Sequence, residues 1–154
     1  MGKKVMSIVG VLCVLGVLAG ALVANAGSRI TTPETLTLLG TTIKDKFVDV
    51  GKPGQTPGDQ ILFIEDLTDA GAKVGKARIE CTLHLGQWAI CTGTFNIAGR
   101  GEIVGQGMVH FTEDASSFEV PITGGTGEFA NVRGVDHVES LSDTEERHTL
   151  ELLP

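Results

Sequence analysis

The chain predicts an all-β domain, on three observations. From Leu36 onward the apolar residues recur with a period of two rather than 3.6. Clusters of glycine, proline and aspartate break that alternation roughly every eight to twelve residues, the cadence of short strands joined by turns. No later stretch carries the apolar stripe of an amphipathic helix. About seven or eight short strands then leave two architectures, a sandwich or a closed barrel.

Residues 1–26 stand outside this cadence. Lys3 and Lys4 precede an apolar run from Val5 to Val23, and Ala24-Asn25-Ala26 fits an A-x-A cleavage site, which together make a secretory signal. The competing reading is a membrane anchor over residues 5–23, since the run approaches the roughly 20 residues that span a bilayer. The small-residue site and the polar, turn-rich sequence after it favour cleavage and an extracytoplasmic protein. Residues 27–154 are then one domain of 128 residues, 154 less 26, a size that suits a single core. Loss of Lys3 and Lys4 takes the net charge from −7 to −9, which argues against nucleic acid and anionic membranes as partners.

Within the domain, Gly51, Pro53, Gly54, Pro57 and Gly58 make residues 49–59 a long connection able to cap a barrel mouth. In the next strand Ile61, Phe63, Glu65 and Leu67 share one face, and Leu62, Ile64 and Asp66 the other. Residues 77–85 and 88–97 form a hairpin about Gly86-Gln87, with Ile79, Cys81, Leu83 and Leu85 on one face of its first strand. Counting outward from Gly86 sets Cys81 opposite Cys91. Outside the cytoplasm a facing pair predicts a disulfide, the alternative being two thiols that only pack. Residues 103–111 alternate again. Phe118, Val120 and Ile122 share a face, with Pro121 opposite implying an edge or a bulge. Residues 143–147 read as a turn before a last strand over 148–152.

The most distinctive stretch is residues 122–134, I-T-G-G-T-G-E-F-A-N-V-R-G. Gly124, Gly125 and Gly127 turn a strand sharply before Phe129 resumes an apolar run. A phosphate loop would need G-x-x-x-x-G-K-[ST], and no such lysine follows Gly127. The segment resembles the glycine-rich signature shared by plant dirigent proteins and allene oxide cyclases. Residues 61–71 (ILFIEDLTDAG), 74–77 (VGKA) and 105–107 (GQG) fit the same comparison in the same order, so the resemblance covers most of the chain after residue 58. It implies an eight-stranded antiparallel β-barrel of the allene oxide cyclase-like, calycin type, and tips the choice from sandwich to barrel. It also implies an apolar cavity, assembly as a dimer or trimer, and cyclisation or stereocontrolled coupling of reactive hydrophobic intermediates.

Candidate chemistry follows from polar groups among apolar ones. Glu65 lies in phase with Ile61 and Phe63, and an inward carboxylate in a low-dielectric interior suits proton transfer. The bland alternative solvates one of Glu65 and Asp66 and pairs the other with a base. By resemblance, Asp66 best matches a functional aspartate of dirigent proteins, Arg133 matches a cavity arginine, and Glu128 falls where some of them carry an acid. A guanidinium at Arg133 could hold a carboxylate, enol or quinone oxygen, against the alternative of an ion pair with Glu128 or Asp136. Phe63, Trp88, Phe95 and Glu128 are the candidate substrate contacts, although a lone Trp beside a hairpin turn is more often a core anchor.

His84, His110, His137 and His148 are scattered, and no C-x-x-C or H-x-x-x-H spacing occurs, so no metal and no cofactor are expected. The chain has no tyrosine, unlike dirigent cavities, and no counterpart of the Glu and Asn near the first strand of allene oxide cyclases. The reading is a cofactor-free isomerase or cyclase acting on a small hydrophobic ligand mainly by conformational restriction. The alternative is a non-catalytic, lipocalin-like binder. Polar groups converging on the cavity favour chemistry, an apolar interior favours carriage, and a volume below about 300 Å³ favours a filled barrel.

Overall fold

The computed structural model describes residues 29–112 and 116–154, so the proposed signal at 1–26 lies outside the described residues. Eight strands follow in chain order: β1 Glu34–Val48, β2 Gln60–Asp69, β3 Ala72–Leu83, β4 Trp88–Ile97, β5 Gly101–His110, β6 Ser117–Gly125, β7 Arg133–Ser140 and β8 Glu145–Leu153. Each is antiparallel to its neighbours, and β1 pairs with β8 from Glu34↔Leu152 to Thr41↔Glu145, closing the barrel. Closure leaves every strand with two partners, which removes the exposed edge an open sheet would present. Among the described residues no helix is long and apolar enough to cross a membrane.

Most elements fall where the alternation put them, with two differences. β3 begins five residues earlier than the hairpin pattern suggested, because β2 continues to pair with it as far as Asp69↔Ala72. β8 begins at Glu145, so residues 145–147 are strand rather than turn. Glu146 pairs with Gly40 on one side and Ser140 on the other, and that two-sided ladder outweighs the turn propensity of a charged run. Pro121 sits in a closed sheet beside a register shift in the β5–β6 ladder, so of the edge and the bulge that it implied the bulge is what forms. Its missing N–H falls where the β5–β6 ladder, paired only from Ile103↔Gly125 to Gly105↔Ile122 with a register shift, has already lapsed.

The barrel has two unlike ends. At one, the 126–132 connection folds inward behind a 3₁₀ turn, Gly127–Phe129, and plugs the lumen with Phe129 and Val132, both fully buried against Leu67, Ile103, Leu150 and Leu152. Full burial of a side chain of this size is worth about 1.5–3 kcal/mol, so the plug is a major part of the core. Gly127 has φ 61°, and a Cβ there would lie 2.4 Å from the Arg100 carbonyl oxygen, so only glycine makes this corner. Arg100 clamps it. The guanidinium donates to both Glu34 carboxylate oxygens at 2.8 Å and to Glu128 at 2.7 Å, and lies 4.6 Å from the Phe129 ring centroid.

The opposite end carries the 49–59, 84–87 and 141–144 connections. Asp59, fully buried, accepts from the backbone N–H of Val50 and of Thr56, each at 2.6 Å. Those bonds hold its carboxyl below the ordinary aspartate range and tie the glycine- and proline-rich loop to the rim.

Candidate functional site

A cavity of about 270 Å³ occupies the unplugged half of the barrel and reaches the 141–144 turn. Its wall is apolar: Phe63, Ile79, Phe95, Phe118, Val120 and Ile122 face it, with Cys81 and Cys91 between them. The two cysteines are directly opposed in the β3–β4 ladder and joined as a disulfide, as counting from the hairpin turn predicted. The volume lies just under the roughly 300 Å³ below which a filled barrel is the favoured reading, and the space that remains is enough for one small molecule at most.

The polar floor is built by three strands. His148 of β8 is in phase with Leu150 and Leu152, so it points inward and is 1% exposed. Asp136 of β7 and Glu65 of β2 reach it from either side. Asp136 Oδ2 is 2.9 Å from Nδ1 and Glu65 Oε2 is 3.3 Å from Nε2. Glu146 stands one inward position before His148, its carboxylate 3.9 Å from Nε2. Phe95 meets the imidazole edge-on, ring centroids 4.9 Å apart. Gly40 of β1 makes the room. A Cβ at that position would lie 2.5 Å from Glu65 Oε2 and 3.2 Å from His148 Nε2.

This packing decides the protonation. Burial alone would push the His148 proton off, but the hydrogen bonds to Asp136 and Glu65 and the two negative charges outweigh it and raise its pKa to about 10. His148 is therefore an imidazolium at neutral pH, with Nδ1–H donating to Asp136 and Nε2–H to Glu65. Burial, and then the charge of Glu65, hold Glu146 above the ordinary carboxylate range, with the imidazolium opposing in part. Asp136 Oδ1 is buried with no hydrogen-bond partner among the described residues.

Such an arrangement can donate a proton, accept one, and stabilise charge of either sign developing beside it. Glu65, Glu146 and His148 also offer ligand atoms within 4.8 Å of one another, a set able to hold a metal ion. Spacing within a strand could not reveal that set, because the barrel brings it together from β2 and β8.

Of the residues singled out in the sequence, Glu65, Phe63, Phe95 and the Cys81–Cys91 pair line the cavity. Asp66 does not. It faces the outer wall, ion-paired to Lys73 and Lys76 at 2.6 Å each, and these bonds hold its carboxyl below the usual aspartate range. Arg133 is exposed at the start of β7, and Glu128 is bound to Arg100, both at the plugged end. Neither the Arg133–Glu128 nor the Arg133–Asp136 pair forms: Glu128 has Arg100, and Asp136 has His148. Trp88 is 42% exposed on the rim, stacked on His110 with centroids 4.4 Å apart, so it is neither a cavity contact nor a core anchor. His148, Asp136 and Glu146 were missed. The H-T-L-E-L phase of residues 148–152 carries the signal for His148, since an inward Leu150 and Leu152 require an inward residue at 148.

Neither a protein-family profile nor a curated sequence matches this chain. Among solved structures, one described as a pyocyanin demethylase is 30% identical with a TM-score of 0.69, over 78% of this chain and 100% of that one. This chain belongs to one family with that protein, and its closed eight-stranded barrel is the allene oxide cyclase-like fold. Other structures share the fold at lower identity. A pterocarpan synthase dirigent protein is 17% identical, TM-score 0.64, over 79% of this chain and 87% of that one. The Diels Alderase AbmU from Streptomyces koyangensis is 14% identical, TM-score 0.63, over 77% of this chain and 63% of that longer one. In this chain His148 is held between two carboxylates at the base of an apolar cavity.

Proposed function

We propose that this barrel is an enzyme that admits one small, largely apolar molecule and moves a proton on it, steering an isomerisation or ring closure that the cavity walls restrict to one geometry. The observation that carries this reading is the buried Glu65–His148–Asp136 constellation opening on the cavity. A pure carrier gains nothing from burying three ionisable groups, which is costly unless the pairing serves a purpose. Polar convergence therefore favours chemistry over the lipocalin-like alternative, although the groups that converge are Glu65, His148 and Asp136 rather than Glu65, Asp66 and Arg133. The wall supplies conformational restriction, and His148 and Glu65 supply donor and acceptor.

A second reading has its own support. The 30% identical structure is described as a pyocyanin demethylase, so pyocyanin stands beside the polyenes as a substrate to test. The Cys81–Cys91 disulfide supports placing the domain outside the cytoplasm, in line with the N-terminal signal. Half-exposed Leu62 and Ile64 on the outer face of β2 support assembly with further copies of the chain.

The test is turnover. Purified protein is incubated with pyocyanin and, separately, with linear polyenes bearing a diene and a dienophile, and products are followed by chromatography and mass spectrometry. His148→Gln is expected to lower conversion by about a hundredfold or more while substrate affinity stays within about tenfold. Equal conversion by wild type and His148→Gln would overturn the proton-transfer role, and binding without conversion by either would leave a carrier.

A further inference from the structure

The cavity's charge is lopsided. Asp143, Glu145 and Glu146 line its approach, and Glu65 and Asp136 its floor, while no lysine or arginine lines it among the described residues. His148 is the single cation against them. Its charge is shared between Glu65 and Asp136, and Asp136 Oδ1 keeps a buried lone pair with no donor. Among the described residues Glu146 has no cation but His148 within salt-bridge reach, at 3.9 Å.

The uncharged part of the wall has its own bias. Phe63, Phe95, Phe111 and Phe118 line the same space among its aliphatic side chains. Ring faces carry partial negative charge and attract cations, most strongly where water is excluded. Carboxylates and aromatic rings lining one cavity are the two elements that recognise a soft organic cation. The same wall repels a fatty carboxylate.

We propose that the ligand of this cavity is a planar organic cation of about one to three fused rings, with its positive charge delocalised over a ring nitrogen and directed at Glu65, Asp136 and Glu146. This names the substrate class of the site and rests on the reading that the cavity takes a small molecule. A divalent metal is the competing occupant for Glu65, Glu146 and His148. The organic cation is favoured because phenylalanine rings line the space beside the carboxylates, contacts that a metal ion bound by oxygen and nitrogen atoms would not use.

The experiment uses three bicyclic probes of nearly equal size and opposite charge: N-methylquinolinium, 1-methylnaphthalene and 1-naphthoate. Each is titrated into the full chain, with binding read by fluorescence. The cation is expected to bind at least about tenfold more tightly than the neutral probe, and the anion more weakly than either. Glu146→Gln should bring the cation's affinity down to that of the neutral probe and leave the latter unchanged. Asp143→Asn, on the exposed turn, should weaken the cation alone by a smaller factor and serves if Glu146→Gln fails to fold.

Neutral or anionic probe binding as tightly as the cation overturns the inference and leaves the ligand-binding barrel standing. Binding of none of the three removes both. Manganese(II) binding one-to-one and abolishing cation binding would make the site a metal centre and also overturn the inference.

Discussion

His148 holds its proton because two carboxylates reach it, and the same contacts make stability depend on pH. Its folded pKa of about 10 lies above the ordinary histidine value near 6.5, so the unfolded chain releases that proton first as pH rises. The contribution is complete below about pH 6.5 and is lost as pH climbs through about 10. Urea denaturation of wild type and His148→Gln should show the widest stability gap near pH 6 and a shrinking gap toward pH 10. A gap that widens with pH would show that the imidazole is buried neutral. Gly40 is the other residue on which the site turns. Alanine there drives a methyl group to 2.5 Å from Glu65 Oε2, with backbone on both sides in the β1 ladders. Gly40→Ala is expected to cost about 1–3 kcal/mol in thermal denaturation and to displace Glu65 from His148, with turnover lost beyond what the stability change explains.

Among the elements, the β3–β4 hairpin and the 122–134 segment played different parts from those their sequences advertise. The hairpin's register sets Cys81 against Cys91 and places the disulfide in the cavity wall, ten residues apart in sequence. A loop of that length closed by a disulfide is worth about 2–3 kcal/mol through the unfolded chain. Paired replacement of Cys81 and Cys91 by serine should lower the unfolding free energy by about that amount and abolish any difference between reduced and oxidised samples. The glycine segment, for all its distinctiveness, is architecture. It makes the corner that plugs the barrel, so Glu128 and Arg133, singled out because they lie in it, end up far from the cavity.

The whole molecule divides its labour by end. Packing at the plugged end closes the barrel, and Arg100 ties the start of β1 to the β4–β5 turn and the 3₁₀ turn there. The rim end holds the cavity, its loop stapled by Asp59. Arg100→Ala removes a bidentate ion pair, a second carboxylate contact and a ring contact at a partly exposed site, and should cost about 1–3 kcal/mol. Because that clamp is at the other end, ligand affinity at temperatures well below unfolding should stay within about twofold of wild type. A larger loss of affinity would mean that the plug sets the cavity's shape.

Periodicity in the chain was enough to establish an all-β domain, the placement of most strands, the long rim loop and the facing cysteines. Each of these depends on residues near one another in sequence, where side chains alternate and turn chemistry acts locally. Inward phase also delivered Glu65 and Phe63. Only the closed tertiary structure decided which polar groups meet. Glu65, Asp136 and His148 come from β2, β7 and β8, up to 83 residues apart, and become neighbours because β1 pairs with β8 and Gly40 leaves them space. Asp66 looked as good as Glu65 until the barrel curved, because adjacent strand residues point to opposite faces, and curvature alone determines which face is the inside.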